Sequence, residues 1–261
     1  MHGDRSGDFF ACRAGACSLA ATVPALQWLG HEVWALPTVL LASRPGLGKL
    51  VRFGLPHDDL GAMLSALEAD GCWTSLDAVL TGYFPSEASV TAAAAAISRI
   101  RQARPAIPVL VDPILGDEGR LYVAAETAAA IRDELLPLAT IATPNLFELQ
   151  WLTGVSAETR EEIVQAAQRL GPPTVVVTSA LKSAQGIWTL LVTAAKHAGR
   201  SAATWAGIPN GAGDLFAGLF LGYLLKGQSV ETAFDASLTD LDRVLAASAG
   251  QEVLQLSALL R

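Results

Sequence analysis

A chain of 261 residues with 51% hydrophobic and only 16% charged side chains has the apolar material for a sizeable core, which speaks against a disordered segment. Its net charge of -7, with no block of like charge and no basic aromatic stripe, speaks against a nucleic-acid surface. The three cysteines, Cys12, Cys17 and Cys72, and the four histidines lack ligand spacing, so neither a disulfide framework nor a zinc site is expected.

No apolar run reaches the roughly 20 residues that span a bilayer, and the start MHGDRSGDFF lacks a secretion signal's apolar stretch. The expectation is a reducing, cytoplasmic setting without a membrane partner. Nothing reads as a linker, so residues 1–261 are taken as one domain.

In chain order, short β-rich apolar runs predict strands at Phe9–Ala11, Val33–Leu36, Ala78–Leu80, Val109–Val111, Thr140–Ala142 and Val175–Thr178. Helical patterns lie between several of them, at Val90–Arg104, Ala124–Leu135 and Arg160–Leu170. The five alanines from Ala92 to Ala96 are read as helix packing and nothing more. Ile187–Val192 and His197–Trp205 read as two further strands in a meander, and Leu215–Leu225 as a helix. This alternation predicts an α/β fold, a mostly parallel central sheet with helices on both faces. The parallel runs end in the polar clusters TGY, DP, TPN and TSA, which should converge on one crevice at the carboxyl ends of the strands.

The stretch IPNGAGDLFAGLF places Gly211, Ala212 and Gly213 immediately before Asp214 and an apolar helix. Glycines allow close backbone approach, and free N–H groups opening a helix attract an anion. Asp214 is read either as a plain helix-start carboxylate or, if a phosphoryl group rests on those amides, as the base that takes the proton of an attacking hydroxyl.

PNGAGD followed by LFAGLFLGYLL resembles the active-site signature of ribokinase-like small-molecule kinases, and within them most closely the pyridoxal kinases. SLAATVPALQWLG with HEVWALPTVLL, then LTGYFPS, VDPILGDEGRLY and ATPNLFELQWLTG, resemble further segments of the same family, in family order. The resemblance implies an αβα ribokinase-like kinase that uses ATP and Mg²⁺, with K⁺ as a further candidate, acts on the 5′-hydroxymethyl group of a B6 vitamer, and forms a homodimer.

Residue by residue, the resemblance implies Asp214 as base with Gly211, Ala212 and Gly213 as anion hole, and Asn210 beside the nucleotide. It implies Asp112, Asn145, Glu148, Thr178 and Ser179 at ATP, and Asp112, Asp117 and Glu148 near Mg²⁺. Substrate contacts would come from Thr81, Gly82, Tyr83 and Ser18; Arg44, in the loop that departs from the family, is read from its own chemistry as a substrate-side cationic donor to phosphate. Each has a bland reading beside it: Asp112 as a strand-end cap, Asn145 and Glu148 as a capping box, Thr178 as a strand end, Tyr83 as packing, Arg44 as a solvated loop charge. The chain departs from the family at ASRPG, residues 42–46, where a threonine and a histidine are expected, and around Cys17, which is read as a small buried cysteine or a low-pKa thiol. A hydroxymethylpyrimidine kinase of the same fold, or a vitamer-binding protein without turnover, therefore stay open.

Overall fold

The computed structural model describes residues 19–41, 52–183 and 186–260. The expected strand Phe9–Ala11 and the candidates Cys17, Ser18 and Arg44 lie outside them. The described chain opens with helix α1 (Leu19–Trp28), a two-stranded antiparallel ribbon of β1 (Val39–Leu41) and β2 (Arg52–Gly54), and helix α2 (His57–Ala69).

Strands and helices then alternate: β3 (Val79–Thr81), α3 (Glu87–Ala103), β4 (Val109–Val111), a small hairpin of β5 (Gly116–Asp117) and β6 (Arg120–Leu121), and α4 (Ala125–Ala130). They continue with β7 (Ile141–Ala142), α5 (Leu146–Thr153), α6 (Arg160–Arg169) and β8 (Thr174–Ser183). After β9 (Gly186–Thr193) and β10 (His197–Ala202) come α7 (Ala212–Leu225) and α8 (Val230–Ser248). The six-stranded sheet has the order β10-β9-β8-β7-β4-β3; β3, β4, β7 and β8 run parallel, and β9 and β10 are the expected antiparallel meander.

Successive side chains of a strand point to opposite faces, and the packing follows this rule. Val109 and Val111 enter the cluster with α3 and α4, while Leu110 between them enters the cluster with α7 and α8. Val175 and Val177 pack toward α5 and α6, whereas Val176 faces α7. Strands buried on both sides in this way cannot alternate apolar with polar, which is why the runs are continuously apolar.

Helix α7 lies between the sheet and the pair α1 and α8, and it is apolar nearly all round because both sides are covered. Phe216 and Phe220 stack toward the sheet with ring centroids 5.7 Å apart. Leu215 and Leu219 pack toward α1 and α8. Gly218 admits α1 closely: a Cβ there would sit 3.0 Å from the Thr22 carbonyl oxygen.

The structure differs from the sequence expectations at several boundaries. Val33–Leu36 forms no strand; the run ends at Pro37, which has no N–H to give a ladder, and pairing starts beyond it in β1. The Ala124–Leu135 helix widens after Ala130 into a π turn over Ile131–Leu135, and the strand from His197 stops at Ala202 rather than Trp205. β8 runs past Thr178 to Ser183 through a bulge between Val177 and Leu181, because β9 continues to pair with it. The helix after Gly211 begins at Ala212, not Leu215. Helices α2 and α8 and the hairpin of β5 and β6 are additional to the elements read from sequence.

Candidate active site

The carboxyl ends of the four parallel strands and the N-terminus of α7 open on one cavity of about 1440 Å³. Thr81, Gly82 and Tyr83 follow β3, Asp112 follows β4, Thr143 and Asn145 follow β7, and Thr178 lies in β8; all line it, as do Asn210, Gly211, Gly213 and Asp214.

Gly211 is the residue before the helix, with φ of 107°, a left-handed conformation that disfavours any side chain. The first intrahelical bond is Leu215 N–H to the Gly211 carbonyl at 2.9 Å. The amides of Ala212 and Gly213 therefore open the helix ahead of its i→i−4 ladder. Gly211 supplies the bend, and Asp214 stands in the first turn of the helix. A Cβ at Gly213 would meet no atom of the described residues within 4 Å, so the space at its α-carbon is open. The turn is pinned from α1, where Thr22 Oγ1 donates to the Asp214 carbonyl at 3.1 Å.

Across the cavity, Asp112 is buried, with 6% of its surface exposed. Its N–H donates to the Thr81 carbonyl at 2.9 Å, and its Oδ1 accepts from Thr143 Oγ1 at 2.9 Å. Burial, then the charges of Asp214 and Glu148, push its carboxyl well above the ordinary range, with the Thr143 hydroxyl opposing. Glu148 is equally buried and is pushed up to about 7, by burial first, against the N–H groups that hold it.

Those N–H groups define the role of Glu148 in the fold. Oε1 accepts from Leu115 at 2.8 Å and Gly116 at 3.4 Å, and Oε2 accepts from Asn145 at 2.8 Å. Asn145 Oδ1 in turn accepts from the Glu148 N–H at 2.9 Å, completing the capping box at the start of α5, and Asn145 Nδ2 donates to the Gly116 carbonyl at 2.8 Å. The bland reading of this pair is thus met in full, while both residues also line the cavity.

On the β3 side, Thr81 is buried and its Oγ1 has no hydrogen-bond partner among the described residues. A buried hydroxyl without a partner costs free energy, which a polar ligand in the cavity would return. The Tyr83 carbonyl accepts from Thr38 Oγ1 at 2.7 Å, which ties the segment after β3 to the entry of β1.

Asp117 lines the cavity from the hairpin, with its Oδ1 accepting from the Glu118 N–H at 2.8 Å. Ser179 is exposed in the β8 bulge with φ of 48°, and neither it nor Ala212 is among the residues lining the cavity. Among the lining residues that the sequence reading did not place at the site are Thr143, Arg120 and Tyr122. Thr143 had a signal, standing at a strand end in TPN; Arg120 and Tyr122 depend on a hairpin too short to be read from periodicity.

A family model described as phosphomethylpyrimidine kinase matches residues 53–255. A pyridoxal kinase of Deinococcus radiodurans is 36% identical over 239 residues, covering 87% of this chain and 80% of the relative. The chain belongs to the pyridoxal kinase family. A pyridoxine/pyridoxal/pyridoxamine kinase of Bordetella avium is 38% identical over 231 residues, covering 85% of this chain and 78% of that one. The solved pyridoxal kinase of Leishmania donovani in complex with ADP and pyridoxine superposes with a TM-score of 0.85 at 27% identity, over 94% of this chain and 88% of the other. The fold is ribokinase-like, and in this pyridoxal kinase family member residues from TGY, DPILGD, TPNLFE and NGAGD face one another across a single cavity.

Proposed function

We propose that this pyridoxal kinase transfers the terminal phosphoryl group of ATP to the 5′-hydroxymethyl group of pyridoxal, with pyridoxine and pyridoxamine as further substrates. The observation that carries this reading is the first turn of α7. It combines a glycine turn, the opening amides of a helix and one carboxylate, at the carboxyl end of a parallel sheet and beside a cavity large enough for a nucleotide and a small ring.

In this mechanism the vitamer hydroxyl gives its proton to the Asp214 carboxylate as its oxygen attacks phosphorus. The amides of the Gly211 to Gly213 turn hold the oxygens of the transferring group, where charge develops. Tyr83 and Gly82 border the ring, and the Thr81 hydroxyl supplies its unused hydrogen-bonding capacity to the substrate. Asn145, Thr178 and Asn210 lie on the nucleotide side.

The donor set fits a hard divalent cation. The charges of Asp214 and Glu148 raise the cost of ionising Asp112, and that of Asp117 raises the cost of ionising Glu148, which a cation among them relieves. Asp112 would hold Mg²⁺ through the carboxylate oxygen not used by Thr143, and Glu148, whose oxygens are engaged by backbone amides, through water; Asp117 completes the acidic rim. Mg²⁺ bound there would neutralise phosphate charge. We further assign one domain to residues 1–261 and a cytoplasmic setting, on composition and the lack of a linker, and a homodimer and K⁺ as a second cation, on the family resemblance; no helix of the described residues is long and apolar enough to cross a membrane.

A second reading is favoured by the description of the matching family model: a kinase of hydroxymethylpyrimidine, which presents a similar ring and CH₂OH group. The deciding experiment is ATP-dependent phosphorylation of pyridoxal by purified protein with Mg²⁺, with hydroxymethylpyrimidine assayed in parallel. Preferential turnover of pyridoxal is expected; turnover of the pyrimidine alone would move the chain to the sister activity.

A further inference from the structure

The nucleotide reading leaves a charge imbalance in the cavity. Among the described residues that line it are six carboxylates, those of Glu32, Asp77, Asp112, Asp117, Glu148 and Asp214, and a single guanidinium, that of Arg120. Asp112, Asp117, Glu148 and Asp214 surround the end where the phosphates would lie, and a triphosphate adds further negative charge. Helix amides contribute partial charges only, so a full cation placed among these carboxylates has a large electrostatic effect.

Arg120 is presented there by a rigid mount. It stands directly opposite Asp117 in the ladder of β5 and β6. The connecting Glu118 and Gly119 have φ of 50° and 79°, the left-handed pair of a tight two-residue hairpin turn. Opposite residues of an antiparallel pair project from the same face, so Arg120 emerges beside Asp117 on the side that lines the cavity.

The base of the hairpin is fastened to α5. The Leu115 and Gly116 N–H groups are held by Glu148, and the Gly116 carbonyl by Asn145. The approach is so close that a Cβ on Gly116 would lie 2.7 Å from the Phe147 ring. Arg120 is exposed, and among the described residues no carboxylate forms an ion pair with it. Its charge nonetheless reaches the Tyr122 phenol, which burial and the charges of Asp117 and Glu148 push up and Arg120 pulls down.

We infer that Arg120 is a phosphate-binding residue, its guanidinium closing on the terminal phosphate oxygens of the bound nucleotide from the hairpin side, opposite the α7 amides. The planar fork of arginine suits two oxygens at once, and the hairpin lets it reach them without moving the carboxylates. This inference rests on the kinase reading above.

The test is calorimetric binding of ATP, ADP and adenosine to the wild-type protein, Arg120→Ala and Arg120→Lys, without vitamer. A charge-assisted hydrogen-bonded contact corresponds to a loss of about tenfold or more in affinity. Arg120→Ala should lose that factor for ATP and ADP and none for adenosine, and Arg120→Lys should recover part of it. ATP affinity unchanged in Arg120→Ala, or an equal loss for adenosine, would overturn the assignment while leaving the kinase reading in place. Wild-type protein that binds none of the three would overturn both.

Discussion

Glutamine at position 148 would keep the outline of the buried carboxyl and remove its charge. Glu148 is 4% exposed, and its pKa is raised from 4.5 to about 7, chiefly by burial. Between those two values the folded chain holds a proton that the unfolded chain has released. The stability associated with that proton is present below pH 4.5 and is lost as the pH rises through 7. The shift corresponds to about 3 kcal/mol, all of it lost by about pH 8.

Glu148→Gln has no such titration. Its amide group must also turn a donor toward one of the backbone N–H groups at Leu115, Gly116 or Asn145, which costs about 1 kcal/mol at every pH. The quantity to read is therefore the change of the gap with pH. Relative to wild type, the variant should gain about 3 kcal/mol between pH 5 and pH 8, about 5 °C in Tm for a chain of 261 residues. Unfolding of both ligand-free proteins by denaturant at pH 5, 6, 7 and 8 measures it. A gap constant across that range would refute the argument that burial sets the charge state of Glu148. The same variant should turn over more slowly with Mg²⁺ and ATP, because on the proposed reading the carboxylate charge serves the metal as well as the fold.

Two further substitutions separate fold from function. Gly213→Ala places a methyl group where no atom of the described residues lies within 4 Å, so the helix should gain about 0.5 to 1 kcal/mol while turnover falls, because the phosphoryl group needs that space; unfolding and steady-state kinetics on one preparation check both. Thr81→Val removes the buried hydroxyl that lacks a partner among the described residues, so the ligand-free protein should be more stable by about 1 kcal/mol and bind pyridoxal more weakly. Unchanged vitamer affinity would remove Thr81 from the substrate side.

The fold class was legible because β4, β7 and the parallel part of β8 are covered on both faces, which writes unbroken apolar runs such as Val109–Val111 and Val175–Val177. The capping box of Asn145 and Glu148 was legible from spacing alone. The start of α7 was not, because glycine and aspartate are as common in a turn as in a first helical turn. Only the φ of Gly211 and the Leu215 bond to it decide between them. The hairpin that carries Arg120 was hidden for another reason: two strands of two residues have no period, and their pairing is set by Glu118 and Gly119. Helix α8 had readable signals in the Ser229 cap and the spacing of Phe234, Leu238 and Leu241. The meeting of Asp112 with Asp214, far apart in sequence, follows from the packing of α7 on the sheet and from nothing local.

The central claim is that Asp214 takes the proton of the vitamer hydroxyl, and it is tested most directly by single-turnover formation of pyridoxal 5′-phosphate in Asp214→Asn beside wild type, with pyridoxal and ATP affinities measured on the same samples. The account predicts a rate lower by about 10² to 10⁴ with both affinities close to wild type. A rate near wild type would contradict it and return Asp214 to the role of a carboxylate that opens a helix.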